Sequence, residues 1–538
     1  MSLTRGVWHI SRECDGIAEA GGVKDVVAGL SEALAKEGVP TAVVLPRYRF
    51  IDLQRLDAKS TGVHFDLQMP TGSSSSSLSS ERVEVFHCRH QGAAVYLLDS
   101  PRTRDKRAIY TYTGEDEKED PQKRKGTGHW DAHHINLILQ RGTLELALAL
   151  GPPDVFHCHD GHSAFLPAIM RKCPPYQEAL KDCRALITIH NAGRGYHQEI
   201  YGLDFAAQLT QLPAEVLSKG ILNGAVDPFL VGAEYAPINT VSEGYAEEIN
   251  SGQLEELTGG LGAVFKRSGV KLLGITNGIA PQAFDPRYPE HSGLPFAFDP
   301  SRDDLSGKQG CRDRFIELLP GVEDAGESGQ GGNSSAPELA GLEIFGTLKK
   351  ASDLPLYTFV GRLTGQKGVD ILAGAMARCF SENRDLQFLI LGQGAKAIEE
   401  QLIEITRRPG AEGKLCLLMG YNSQAAKYIY ASGDFFLVPS QYEPCGLTDL
   451  FAQMMGNLPI VHGVGGLIKV RQGYTGYSYK IHSVQALVEA IGESISDYRE
   501  DRDRLKRLQR QAFSEVFEHY TWEKVLREGY LPLYRAGS

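Results

Sequence analysis

Val360-Gly-Arg362-Leu-Thr-Gly365-Gln-Lys367-Gly368 and Pro439-Ser-Gln-Tyr-Glu443-Pro-Cys445-Gly446-Leu447-Thr448 each begin where a short apolar run stops. The runs before them, LYTFV and DFFLV, have the length and composition of buried strands. In open α/β sheets ligands sit beyond the carboxyl ends of strands, so both loops are candidate site loops. The first carries two cations five residues apart and three glycines. It is neither a Walker A loop nor a dinucleotide fingerprint. Two fixed cations can still neutralise a diphosphate leaving group without a metal, which favours a ligand site over a basic surface turn. The second loop places a carboxylate and a proline ahead of Gly446 and Thr448, which open a helix whose N-terminus suits a phosphate. Glu443 then sits where a sugar would lie.

The same pattern extends in both directions. Val7–Ile10, Thr41–Pro46, 94–99, 154–159 and 185–190 read as strands in the first half. Leu356–Val360, 387–391, 415–419, 434–439 and Leu458–His462 do so in the second. A helix is expected near Val23–Lys36. Strands alternating with helices predict an α/β fold of two Rossmann-like domains with a cleft between them. Asn277-Gly278 is a turn signal that places the crossover. The expected domains are 1–277, 278–515 and a terminal helix, 516–538, that crosses back. Residues 71–80 read as a flexible serine-rich loop, 115–125 as a solvated charge run, and 321–345 as a mobile insertion.

Three further strand ends carry chemistry. Gly21 and Gly22 open a helix, as a phosphate loop or as a tight turn. His157-Cys-His-Asp160-Gly-His162 offers a zinc reading, a substrate-binding carboxylate, or a helix cap at Asp160. No second Cys/His cluster completes a standard zinc site, so no metal is expected. Ile187-Thr-Ile-His190-Asn191 delivers a histidine and an amide into a glycine-containing loop, where a structural histidine is the common outcome.

Composition bounds the function. Hydrophobic residues make up 42% and charged residues 23% of 538, as in ordinary globular proteins. The net charge of -11 argues against nucleic acid or an anionic membrane as the main partner. The nine cysteines are scattered, with no C-x-x-C pair, which fits a reducing cytosol. No apolar run reaches the ~20 residues of a membrane helix, and no secretory signal is evident, so a cytoplasmic protein is expected.

Taken in order, VGRLTGQKG (360–368), VPSQYEPCGLT (438–448), HCHDGHSA (157–164), ITIHN (187–191) and GITNG (274–278) resemble the bacterial glycogen synthase and plant starch synthase family, glycosyltransferase family 5, of GT-B fold. The resemblance implies a retaining glucosyltransferase that elongates an α-1,4-glucan from ADP-glucose with release of ADP. It implies no metal or organic cofactor, a nucleotide sugar and an α-glucan as partners, and a closing motion that excludes water. It assigns Arg362 and Lys367 to the donor diphosphate, Glu443 to the transferred glucose, and His190 to the sugar face near the anomeric centre. Asp160 would bind glucose or acceptor. Gly21, Gly22, Asn191, Cys445, Gly446, Leu447, Thr448, Gly465 and Gly466 would line the donor site, with Tyr421 near the adenine. Two motifs depart from the family pattern. Glu19 stands where the family has lysine in Lys-x-Gly-Gly-Leu. In Val464-Gly465-Gly466-Leu467-Ile468-Lys469, a valine and a lysine replace the family's threonine and aspartate. UDP-glucose as donor, a different acceptor, and a degenerate carbohydrate-binding homologue are the competing readings. A pyridoxal-phosphate phosphorylase lacks its lysine motif here.

Overall fold

The computed structural model describes residues 3–71, 77–319 and 336–536. Two compact units divide the chain. The first is 1–278 together with 522–538, and the second is 279–521. Residues 516–519, expected in the returning helix, instead close the helix Arg502–His519, which lies in the second unit; the return begins at Trp522.

The first unit is built on strands β1 (Val7–Ile10), β2 (Thr41–Pro46), β3 (Lys59–Pro70), β4 (Leu78–His90), β5 (Ala93–Asp99), β6 (Val155–His159) and β7 (Arg184–Ile189). Three two-residue strands follow: β8 (Ile200–Tyr201), β9 (Ile221–Leu222) and β10 (Ala225–Val226). The last two are β11 (Ile238–Thr240) and β12 (Leu273–Gly274). Among the described residues the main sheet runs β12-β11-β7-β6-β1-β2-β5-β4-β3, while β8, β10 and β9 form a small separate sheet. All pairings from β12 to β5 are parallel, and β3–β4–β5 is an antiparallel meander. The order reverses at β1: the chain moves outward through β2 and β5, then returns to β6 on the other side. The loops after β1 and β6 therefore flank a crevice at the carboxyl edge.

The long hairpin β3–β4 corrects the reading of 71–80 as loop. Residues 78–80 are strand, Thr71 N–H donates to the Ser77 carbonyl at 3.0 Å, and 72–76 lie outside the described residues. The run 115–125 is likewise more structured than expected. Asp116 is buried as the third residue of a capping box with Thr113 and is paired with Arg107 at 2.8 Å. The expected insertion falls mostly outside the described residues.

The second unit carries β13 (Glu343–Leu348), β14 (Leu356–Val360), β15 (Gln387–Gly392), β16 (Lys414–Met419), β17 (Phe435–Val438), β18 (Leu458–His462) and β19 (Tyr477–Tyr479). Their order is β13-β16-β15-β14-β17-β18-β19, parallel except for β13 against β16. Its reversal lies between β14 and β17. Those are the two strands that precede the Arg362/Lys367 and Glu443 loops.

The returning segment fills the outer face of the first sheet. Trp522, Val525, Leu526, Tyr530, Leu531 and Tyr534 are buried against Val26, Leu30, Leu34, Val155 and Leu186. Gly29 of the helix Val23–Lys36 allows this approach, because a Cβ there would lie 2.0 Å from Nε1 of Trp522. Among the described residues no helix is long and apolar enough to cross a membrane. The nine cysteines are all free and buried.

Gly29→Val is expected to lower stability by about 1–3 kcal/mol through overpacking. The loss should appear as a lower denaturant midpoint for the first unit, monitored by tryptophan fluorescence.

Candidate active site

In the second unit the two loops at the strand-order reversal meet. Lys367 Nζ lies 2.6 Å from Oε2 of Glu443, and Ser440 Oγ donates to the same oxygen at 2.9 Å. Burial by itself would raise the Glu443 carboxyl. The Lys367 charge and the two donated hydrogen bonds outweigh it and hold the group below the usual range. Thr364 caps the turn Gly365–Lys367 by accepting from the Lys367 N–H. Arg362, five residues before Lys367, is exposed and makes no side-chain ion pair among the described residues. Of the two cations of this loop, Lys367 is paired and Arg362 is not, among the described residues.

Behind this pair stands an interaction that the sequence reading missed. Lys469 is buried with Asp449, Nζ to Oδ1 at 3.1 Å, and donates to the carbonyls of Cys445, Gly446 and Gly466 at 2.7, 2.7 and 3.0 Å. The lysine ties the 443–446 loop to the turn Gly465–Lys469. Gly466 N–H donates to the Glu443 carbonyl at 2.9 Å, and a Cβ at Gly466 would lie 1.9 Å from the Cys445 carbonyl oxygen. The amide of Gly466, a residue the resemblance assigns to the donor site, is thus used by the loop itself. Burial pushes the Asp449 carboxyl up to about 6, partly offset by Lys469. Leu447 and Thr448 begin the helix Thr448–Met454, with Leu447 at the cap position. Tyr421 is 80% exposed after β16, apart from this cluster in its contacts.

In the first unit the loop after β1 brings Glu13 under the glycine pair. Its Oε2 accepts from the amides of Ala20 and Gly21 at 3.2 and 2.5 Å, and Oε1 accepts from Tyr110 Oη at 2.5 Å. The Arg12 guanidinium lies over the Tyr110 ring, 5.0 Å from its centroid, and His162 stacks on the same ring. The anion-binding capacity read into Gly21 is therefore taken up by an internal carboxylate, while Gly22 caps the helix Val23–Lys36. Glu19 turns away from the pair. It accepts from the Gly16 amide at 3.0 Å and lies 3.9 Å from Lys24.

Asp160, in the left-handed region at φ 58°, does not cap a helix; the next one starts at Leu166. Its Oδ1 accepts from the backbone amides of His190 and Asn191 at 2.7 and 3.4 Å, fixing the loop after β7. Burial pushes its carboxyl up to about 7 against these hydrogen bonds. Asn191 Oδ1 accepts from the Gly193 amide at 2.8 Å. His190 is 9% exposed and is held down at about 3 by burial, so its ring is neutral. Behind it, ring nitrogens of His9, His157 and His159 lie within 4.8 Å of one another. They are engaged with protein partners: His9 Nδ1 with His159 Nε2, His159 Nδ1 with His190 Nε2, and both nitrogens of His157 with Thr188 and Tyr534.

Comparison with known proteins fits this geometry. Residues 6–266 match the starch synthase catalytic domain, and residues 342–512 match glycosyl transferases group 1. A glycogen synthase from Exiguobacterium sibiricum is 30% identical over 98% of both chains. The chain belongs to the glycogen synthase and starch synthase family. It is a glycosyltransferase of GT-B fold. Glycogen synthase 1 of Geobacter sulfurreducens is also 30% identical, over 95% of this chain and 92% of that one. The catalytic domain of starch synthase IV from Arabidopsis thaliana, solved with ADP and acarbose, superposes with a TM-score of 0.77 at 24% identity, covering 98% of each chain.

Two outcomes follow from the buried carboxyls. Because the folded Asp160 carboxyl lies above its ordinary value, its contribution to stability is present below pH ~4 and is lost as pH rises through 7. Asp160→Asn is therefore expected to gain on wild type by on the order of 3–4 kcal/mol between pH 4 and pH 8 in paired denaturation curves. Lys469→Met strands Asp449 and is expected to cost ~3–5 kcal/mol. Adding Asp449→Asn should restore most of that loss in the same assay.

Proposed function

We propose that this transferase moves glucose from ADP-glucose to the non-reducing end of an α-1,4-glucan with retention of anomeric configuration, releasing ADP. The observation that carries this reading is the Lys367–Glu443 pair at the strand-order reversal, with the unpaired Arg362 beside it. A nucleoside diphosphate is a dianion or trianion that must leave, and preorganised cations stabilise that departure. The bond from the anomeric carbon to the β-phosphate oxygen breaks, and Arg362 and Lys367 take up the charge. The acceptor hydroxyl attacks on the same face and gives its proton to the departing phosphate oxygen. No cofactor is needed, since the nucleotide sugar is already activated.

Glu443 accepts hydrogen bonds from hydroxyls of the transferred glucose, which replace part of its contact with Lys367. His190 meets the sugar as a neutral imidazole. Asp160 acts by holding the His190–Asn191 backbone. The Cys445–Thr448 loop and the Gly465–Gly466 turn shape the sugar–phosphate cradle, and the exposed ring of Tyr421 is available to stack on adenine. The Arabidopsis starch synthase IV structure, with its bound ADP and acarbose, supports a donor and acceptor of these classes. Glu19 is compatible with the reading because its carboxylate is held by the Gly16 amide, while Lys24, 3.9 Å away, bonds to Asp15 and Asp25.

The test is nucleotide release from ADP-glucose and UDP-glucose, with and without glycogen. Glycogen-dependent ADP release with growth of the glucan is expected. Release from UDP-glucose alone overturns the donor assignment. Lys367→Ala is expected to lower kcat by about 10²–10³-fold with the fold intact. Normal turnover in that variant removes the leaving-group role.

A further inference from the structure

Three histidines from three adjacent parallel strands form one hydrogen-bonded row. His9 is in β1, His159 ends β6, and His190 follows β7. His9 Nδ1 lies 3.0 Å from His159 Nε2, and His159 Nδ1 lies 3.0 Å from His190 Nε2. All three are buried, at 0, 1 and 9% exposure. We propose that His9 and His159 are positioning residues that lock His190 in a single neutral tautomer, so that it meets the transferred sugar through Nδ1 alone. The inference rests on the reading above that His190 faces the sugar.

The argument is one of proton counting. Each N···N contact holds one proton, and each neutral ring carries one. The row can therefore run in only two directions. In one, His9 Nδ1–H donates to His159, His159 Nδ1–H donates to His190, and His190 offers Nδ1–H outward. In the other, every proton sits on Nε2 and His190 offers a bare Nδ1. Reversal requires one proton to enter at Nε2 of His9 while one leaves from Nδ1 of His190. Nε2 of His9 is sealed from solvent and has no hydrogen-bond partner among the described residues. Nδ1 of His190 makes no hydrogen bond among the described residues, and His190 keeps 9% of its surface exposed. One end of the row is closed and the other opens outward, so the direction set on folding persists. Burial keeps the rings neutral, with His9 and His190 both held down at about 3.

A neighbouring row shows how a direction is normally fixed. Tyr534 Oη lies 2.7 Å from His157 Nδ1, His157 Nε2 lies 2.7 Å from Thr188 Oγ1, and Thr188 donates to Asn239 Oδ1 at 2.7 Å. The Asn239 oxygen can only accept, so every proton in that row is assigned. It shares the same sheet but has no hydrogen bond to His190, which makes it a structural control.

The test uses full-length protein with 15N-labelled histidine, and variants His9→Leu, His9→Asn, His190→Ala and Tyr534→Phe. Long-range proton–nitrogen spectra are expected to show His190 as one neutral tautomer in wild type and as a mixture in His9→Leu. His9→Leu should lower kcat about 10–100-fold, as loss of an orienting partner does elsewhere, with little change in KM for the donor. His9→Asn puts an amide donor where Nδ1 stood and should recover most of that loss. Tyr534→Phe should reduce stability and leave kcat unchanged. Mixed tautomers in wild type, or wild-type kcat in a folded His9→Leu, overturn the proposal. If His190→Ala alone turns over normally, the underlying reading of His190 fails instead. Should His9→Leu not fold, the wild-type spectrum still decides.

Discussion

A carboxylate removed from water must be met by donors or a cation, and both sites of this protein are arranged around that requirement. Glu13 is met by the amides of Ala20 and Gly21 and by Tyr110. Asp160 is met by the amides of His190 and Asn191. Glu443 is met by Lys367 and Ser440, and Asp449 by Lys469. Each carboxylate pins a loop that follows a parallel strand. The loops that a ligand would touch are thus shaped before any ligand arrives, which is the preorganisation that transfer chemistry requires.

The two departures from the family pattern share a logic. The acid at 19 and the lysine at 469 are each engaged by the chain's own groups, although the Lys24 that faces Glu19 bonds more closely to Asp15 and Asp25. Glu19 is bound by the Gly16 amide and lies near Lys24, and Lys469 is enclosed by three carbonyls and Asp449. A charge spent in this way alters the rigidity of a loop more than the field felt by a ligand.

The sequence disclosed what is local. Arg362, Lys367 and Glu443 were legible because each lies within a few residues of an apolar strand whose end marks a site. The strands themselves were legible because parallel strands buried on both faces read as unbroken apolar runs. What was hidden depends on partners far along the chain. The action of Asp160 on the backbone of His190, the cradle of Glu13 and Tyr110, and the neutralisation of Asp449 by Lys469 all require the strand order to be known. The β3–β4 hairpin was hidden differently. The alternation Val63, Phe65, Leu67, Met69 is a strand signal, but a serine run at its turn drew the reading toward a flexible loop.

The packing of Trp522 on Gly29 and of Tyr534 on His157 joins, within one core, segments that lie on either side of the second unit in the sequence. During synthesis the residues that complete the first unit leave the ribosome only after the second unit has been made. The second unit, continuous from 279 to 521, is fully synthesised while the first still exposes the apolar face awaiting Trp522 and Tyr530. Order of synthesis and order of completion are therefore inverted between the two units: the one whose synthesis starts first is completed second. A nascent or prematurely terminated product carries an uncovered hydrophobic surface at its N-terminal helix, the kind of surface that chaperones and aggregation compete for.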